Sequence, residues 1–268
     1  MSDRVTVTML EGGVADVRLS RPDKLNALDQ AMFEALVSSG RRLAADGSVR
    51  AVVLSGEGRG FCAGLDFMSF MNMQERRGGE AALLDRRDDG PANGAQATAW
   101  VWKELPVPVI AAVHGVAFGG GLQVALGADI RLVAPDAQLS VMEIKWGLVP
   151  DMAGTQLLRH LVRLDVAKEL TFTGRVVSGT EAVALGLATR VADDPRAAAF
   201  AMAREIAGRS PDAIRAGKRL LNASVVTSPG EGLALEESLQ RGLIGSANQL
   251  EAVAANLEKR PPRFRDAE

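Results

Sequence analysis

The chain has 268 residues, of which 47% are hydrophobic and 24% charged, with a formal net charge of −2. That length allows one large domain or a domain with an appendage, and the near-balanced charge excludes a nucleic-acid protein held by bulk electrostatics. A lone cysteine, Cys62, excludes an intrachain disulfide, two distant histidines, His114 and His160, offer no metal-ligand spacing, and no stretch approaches the roughly 18 apolar residues of a membrane span. The start, MSDRVTVTMLEGG, lacks the apolar core of a signal peptide. The expectation is a soluble cytoplasmic protein, not a metalloenzyme, with no nucleic-acid or membrane partner.

In chain order, VADVRLS (14–20) alternates apolar and polar residues as a half-buried strand should. Asp29 is placed to cap a helix carrying Met32, Phe33, Leu36 and Ala44. VRAVVLSG (49–56) and VPVIAAVHG (107–115) are denser and predict strands buried on both faces. DIRLVAPDAQLSV (129–141) predicts a strand pair turning at Pro135-Asp136. Ser178-Gly-Thr-Glu181 matches a capping box, and beyond Pro195 helical patterns run to about Lys259. The layout is α/β over residues 1–195 and helical over 196–268, without an evident internal repeat. The charged, glycine-rich segment 71–98 reads either as a mobile helix–loop covering something or as a solvated insertion. Met68, Met71 and Met73 beside it fit an adaptable apolar pocket or plain core.

Three glycine-bearing stretches follow predicted strands: GEGRGFCAGLDF (56–67), HGVAFGGGLQVA (114–125) and MEIKWGLVPDMAGTQ (142–156). Glycine at a strand end lets a ligand approach the backbone, and a helix start adds aligned N–H donors suited to a developing oxyanion. Close helix–strand packing explains the same glycines, so both readings stand. A phosphate loop is excluded because no Gly-Lys-Ser/Thr follows, and a dinucleotide fingerprint because the spacing is wrong. No Gly-x-Ser-x-Gly elbow supports a serine hydrolase, and neither histidine can be tied to Cys62 as a nucleophile. Glu143, after LSVM, sits in an apolar setting that suits a base with a raised pKa, although taken alone a glutamate in that pattern is more often a surface or ion-paired residue. Asp151 lies nearby in sequence.

Taken in order, these motifs resemble the crotonase superfamily of enoyl-CoA hydratases and isomerases. SRPDKLNALD (20–29), GEGRGFCAGLDF, VPVIAAVHGVAFGGGLQVALGADIRLVAPDAQLS, GLVPDMAGTQLLRHL, FTGRVVSGTEAVALGLATRV and EAVAANLEKRPPRF together span nearly the whole chain. The resemblance implies a crotonase-type superhelix of repeated ββα turns with a C-terminal helical region that builds homotrimers, often paired into hexamers. It implies an acyl-CoA thioester whose carbonyl oxygen sits between the N–H groups of Leu65 and Gly120. Coenzyme A is then part of the substrate, and no separate cofactor or metal is needed. Ala63, Leu65, Asp66 and Phe67 would line the CoA segment, with Lys24 and Ala27 near the nucleotide.

Glu143 falls where the family keeps a catalytic glutamate, and Asp151 where its dienoyl-CoA isomerases keep an aspartate. One position departs from the pattern. The hydratases carry a second glutamate on the turn after the glycines, and this chain has Gln123. An amide can position a group but cannot accept a proton from water. The expectation is therefore acyl-CoA breakdown chemistry leaning toward double-bond isomerisation. The alternatives are a 2-enoyl-CoA hydratase or dienoyl-CoA isomerase using Glu143 and Asp151, or a non-catalytic acyl-CoA-binding homologue.

Overall fold

The computed structural model describes residues 4–68, 83–86 and 90–267. Strands β1 (Val5–Leu10) and β2 (Val14–Leu19) form an antiparallel hairpin, followed by helix α1 (Gln30–Ala44) and β3 (Ala51–Gly56). Then come α2 (Gly94–Glu104), β4 (Val109–Val113), β5 (Val116–Phe118), α3 (Gly120–Leu126), β6 (Ile130–Val133) and β7 (Gln138–Ser140). A 3₁₀ turn (Glu143–Trp146) leads to α4 (Gly154–Leu158), α5 (Leu164–Thr173), β8 (Val177–Ser178), α6 (Gly179–Leu185) and β9 (Arg190–Val191). Four helices follow: α7 (Pro195–Ala207), α8 (Pro211–Ser224), α9 (Pro229–Leu243) and α10 (Ala247–Glu258).

The strands form a six-stranded sheet, β1-β2-β3-β4-β6-β9, parallel beyond its hairpin, and a three-stranded sheet, β5-β7-β8. The spiral comes from the chain visiting the two sheets in turn. β4 passes directly into β5 of the small sheet and on to α3, and β6 then passes into β7. After β3 the same step is reduced to an isolated parallel bridge between Cys62 and Ala117. The segment 129–141 does hold two strands with Pro135-Asp136 between them, but they lie in different sheets and do not pair with each other. Likewise the run 107–115 ends at β4, and a separate strand begins at Val116 within the glycine motif.

The central strands β3 and β4 of the large sheet are buried on both faces, as the dense apolar runs require. Alternate residues divide between two cores. Val17, Val52, Leu54, Val109 and Ala111 join Leu36, Leu43, Trp102 and Leu122, whereas Val14, Ala51, Val53, Ile110 and Leu132 face Ala199, Phe200 and Ala203. Helix α7 thus covers a sheet face, although it opens the segment read as a helical region from residue 196. Further along, Lys218 of α8 buries its ammonium against the Trp102 and Val107 carbonyls and Asp129 Oδ2 (2.7 Å), tying the helices to the start of β4.

The expected caps formed with one difference. Asp29 accepts from the Met32 N–H at 2.9 Å. Ser178 accepts from the Glu181 N–H, but the Glu181 carboxylate pairs with Arg175 (2.6 Å) rather than reaching back, so half of that capping box is made. A full box occurs instead at Asn93 and Gln96, where α2 begins. Most of segment 71–98 before that helix, with Met71 and Met73, lies outside the described residues. Met68 is 73% exposed. No helix among the described residues is long and apolar enough to cross a membrane.

Candidate active site

One wall of the site is the loop after β3, and a buried asparagine holds it. Asn26 donates its Nδ2 hydrogens to the carbonyls of Glu57 (2.9 Å), Gly60 (2.9 Å) and Phe61 (3.2 Å) and accepts from the Arg21 N–H at 2.8 Å. The Cys62 thiol donates to the Asn26 carbonyl, and burial pushes its pKa to about 12. A thiol held protonated in this way is no nucleophile at neutral pH. Farther along, the Leu28 N–H donates to the Gly64 carbonyl and the Asp66 N–H donates to the Leu28 carbonyl. That parallel bridge leaves the Leu65 N–H directed away from Leu28. Sequence reasoning passed over Asn26. A polar residue in the run KLNAL, between apolar neighbours, was the available signal.

The second wall is the start of α3, where the three glycines have three separate reasons. Gly119 has φ +50° and ψ −121°, a conformation suited to glycine, and a Cβ there would lie 3.2 Å from Glu143 Oε1. A Cβ on Gly120 would meet the side-chain ends of Met152 (Sδ, 2.7 Å) and Leu28 (Cδ1, 2.9 Å). A Cβ on Gly121 would collide with the Cys62 backbone carbonyl. The packing and ligand-access readings are thus both realised, at different residues. As the first residue of the helix, Gly120 keeps an N–H without an intrahelical partner.

Gln123, one turn into α3, is 2% exposed and is hydrogen-bonded through both its oxygen and its nitrogen. Its Oε1 accepts from the backbone N–H groups of Met152 and Gly154, both at 2.8 Å, and its Nε2 donates to Glu143 Oε1 at 2.6 Å. Ala153, with φ +66°, turns the chain so that the flanking N–H groups converge on one acceptor. The carboxamide occupies space that a Gly154 side chain would need, since a Cβ there would lie 2.9 Å from Gln123 Cδ. Two N–H donors on Oε1 fix the orientation of the amide. Its NH₂ must face Glu143.

Glu143 is 8% exposed, and its Oε2 is buried without a hydrogen-bond partner among the described residues. Burial raises its pKa above the usual carboxylate range, the Gln123 hydrogen bond works against that rise, and the charge of Asp151 adds to it. Asp151 stands at the mouth of the site with its surface open to solvent, yet the apolar walls beside it also push its carboxyl upward.

These groups line one cavity of about 270 Å³, together with Phe33, Leu83, Leu84, Phe118, Met142 and Met152. Ala63, Leu65, Phe67, Gly120, Gln123, Glu143 and Asp151, all singled out in the sequence, contribute to its lining. Lys24, Ala27 and Asp66 do not, and the Asp66 carboxylate pairs with Arg21 at 2.7 Å. The Phe67 and Trp146 rings approach to 3.9 Å between centroids and join the Leu65 loop to the turn that carries Glu143. Trp146, unremarked in the sequence, is 56% exposed beside the cavity. An apolar chamber with two carboxylates of raised pKa and two backbone N–H groups can hold a carbonyl and move a proton beside it.

The glycines allow a paired test. Gly120→Val should lower Tm less than a change at Gly121, because it meets side-chain ends and not backbone, but should abolish the Tm rise given by acyl-CoA. Gly121→Ala should lower Tm by several degrees, as overpacking against backbone costs about 1–3 kcal/mol. Thermal melts with and without acyl-CoA, and with free CoA as the control, read both outcomes. Equal shifts by acyl-CoA and free CoA in the wild type would refute a carbonyl held at this wall.

Comparison with known proteins agrees with the geometry. The family described as Enoyl-CoA hydratase/isomerase matches residues 9–267. Mouse mitochondrial methylglutaconyl-CoA hydratase is 33% identical over 261 residues, covering 94% of this chain and 80% of that protein. Mouse mitochondrial Delta(3,5)-Delta(2,4)-dienoyl-CoA isomerase is 33% identical over 263 residues, covering 96% of this chain and 80% of that protein. The crystal structure of enoyl-CoA hydratase from Bacillus anthracis superposes with a TM-score of 0.89 at 31% identity, over 97% of this chain and 98% of that one. Hydratases and isomerases both appear among these relatives, so their names do not select a reaction. On the fold, the cavity and these matches, the chain belongs to the enoyl-CoA hydratase/isomerase family and is an enzyme of the crotonase superfamily.

Proposed function

We propose that this enzyme moves the double bond of an enoyl-CoA thioester through an enolate, with Glu143 carrying the proton. The observation that supports this most is the engagement of Gln123. Its oxygen is occupied by two backbone N–H groups and its NH₂ by Glu143, so it steadies the base and can accept no proton. In this reading the Leu65 and Gly120 N–H groups donate to the thioester oxygen. Glu143 Oε2 takes a proton from the α-carbon of a 3-enoyl chain, the C–H electron pair forms the C1–C2 double bond, and the carbonyl pair moves onto oxygen. The same carboxyl then gives the proton to the γ-carbon as the enolate pair returns, leaving the double bond at C2–C3. Preorganised N–H donors favour the charge where it forms, and a base of raised pKa is better matched to a weak carbon acid. Coenzyme A enters as part of the substrate, with no further cofactor, in the breakdown of acyl-CoA.

A second reading rests on Asp151, whose charge reaches Glu143 across the cavity. With a conjugated dienoyl chain it could return the proton farther along, as the resemblance to dienoyl-CoA isomerases suggests. Wild-type enzyme assayed on 3-enoyl-, 3,5-dienoyl- and 2-enoyl-CoA separates the cases. Turnover of the first supports the main reading, of the second alone the Asp151 reading, and of the third alone overturns both.

The proposal includes a homotrimer or a hexamer of two trimers. In its support, α9 buries none of its side chains, and Leu221, Leu233 and Leu257 are 73%, 65% and 79% exposed in the single chain. Light scattering should return three or six times the 28.3 kDa chain mass.

A further inference from the structure

The polar groups of the cavity carry information about the acyl chain, given that the acyl group occupies this chamber as proposed above. Among the described lining residues the charged side chains are Glu143 and Asp151, both acidic, and no lysine, arginine or histidine joins them. Few donors remain. Gln123 gives one amide N–H to Glu143, which leaves its second, and the N–H groups of Leu65 and Gly120 are assigned to the thioester oxygen. One other side-chain donor lines the chamber, the Trp146 indole, on a residue 56% exposed. Glu143 lines this space, and its Oε2 is buried and unpartnered among the described residues.

We infer that the enzyme selects acyl chains that end in hydrocarbon and rejects those that end in a carboxylate. A second carboxylate on the acyl chain would lose water among Phe33, Leu84, Phe118 and Met142, gain no cationic partner from the described walls, and sit beside the negative charge of Glu143. Asp151 repels it too, less strongly because solvent screens that residue. This separates the chain from one of its relatives. The methylglutaconyl-CoA hydratase is named for a substrate with a carboxylate at the far end of its acyl group, and one-third identity over 94% of this chain does not carry that preference across.

The test reads binding and needs no turnover, so it stands or falls apart from the isomerase reading. Glutaryl-CoA and 5-methylhexanoyl-CoA are saturated and differ in a terminal carboxylate against an isopropyl group of similar shape. Titration calorimetry at pH 7.5 should give glutaryl-CoA a Kd at least about tenfold higher, a difference of about 1.4 kcal/mol. Glu143→Gln should narrow that gap by about threefold, and Asp151→Asn by less, with the Kd of 5-methylhexanoyl-CoA held within twofold in each. Equal or tighter binding of glutaryl-CoA overturns the inference. A gap unchanged in both variants overturns its assignment to these carboxylates. If neither thioester binds, this inference and the acyl-CoA reading fall together. A preserved gap in an enzyme that does not isomerise sinks only the reaction proposed above.

Discussion

Glu143→Gln should lower turnover of enoyl-CoA by about 10²- to 10⁴-fold while acyl-CoA binding persists. The substitution keeps shape, and the new amide can still accept from Gln123 Nε2 through its oxygen, at the position where Oε1 now lies 2.6 Å away. It removes the atom that takes the proton. The same variant should be more stable than the wild type at alkaline pH. Burial raises the folded-state pKa of Glu143, so in the window above the ordinary carboxylate range the folded state holds a proton that the unfolded chain has released. Wild-type stability then falls as pH rises from the unfolded to the folded pKa of this group. The glutamine variant has no such loss, and its advantage in Tm should appear across that window and level off above it. Undiminished turnover would transfer the proton step to Asp151. A Tm difference that does not change with pH would show that Glu143 is not destabilised by its burial.

Gln123→Glu should change which reaction the enzyme performs. In the wild type we expect 3-enoyl-CoA isomerisation to exceed 2-enoyl-CoA hydration by at least about tenfold, the low end of a general acid–base contribution. A glutamate at 123 can keep one oxygen on the Met152 and Gly154 N–H groups, which favour its ionised form. Its other oxygen then replaces the NH₂ now 2.6 Å from Glu143 Oε1. Two carboxylates so close share a proton or part to admit a water. In the first case Glu143 loses basicity and isomerisation drops; in the second, water gains two carboxylates and hydration rises. A coupled assay on both substrates with both proteins measures the ratio. Wild-type hydration at about 10 s⁻¹ or more would overturn the preference for isomerisation.

Legibility in the sequence followed local pattern closely and distant convergence poorly. The apolar runs 49–56 and 107–115 announced a sheet buried on both faces, and β3 and β4 have every residue buried. Asp29 marked a helix start that formed where its side chain could reach an N–H three residues on. The hairpin strand β1 and the two-residue strands β8 and β9 went unmarked, the last two because such segments are too short to show a period. The change of sheet between β4 and β5 left no trace in hydropathy, since buried strands of either sheet read alike. At the site, the triple glycine signalled close approach but could not apportion its causes. That Gln123 faces Glu143, that Asn26 bonds three carbonyls from residues 57–61, and that Trp146 reaches Phe67 all depend on segments meeting from far apart in the chain.

The thiol wedged between Asn26 and Gly121 turns the protein into its own stopwatch. Because Cys62 is the sole cysteine and is fully covered, an alkylating reagent can reach it only when the structure around it opens. When reclosing outpaces alkylation, the labelling rate reports the population of that open form and hence its free energy. An acyl-CoA gripped by Leu65 and Gly120 would hold the loop down and slow the labelling. One mass measurement over time would then weigh substrate, loop and fold on a single scale.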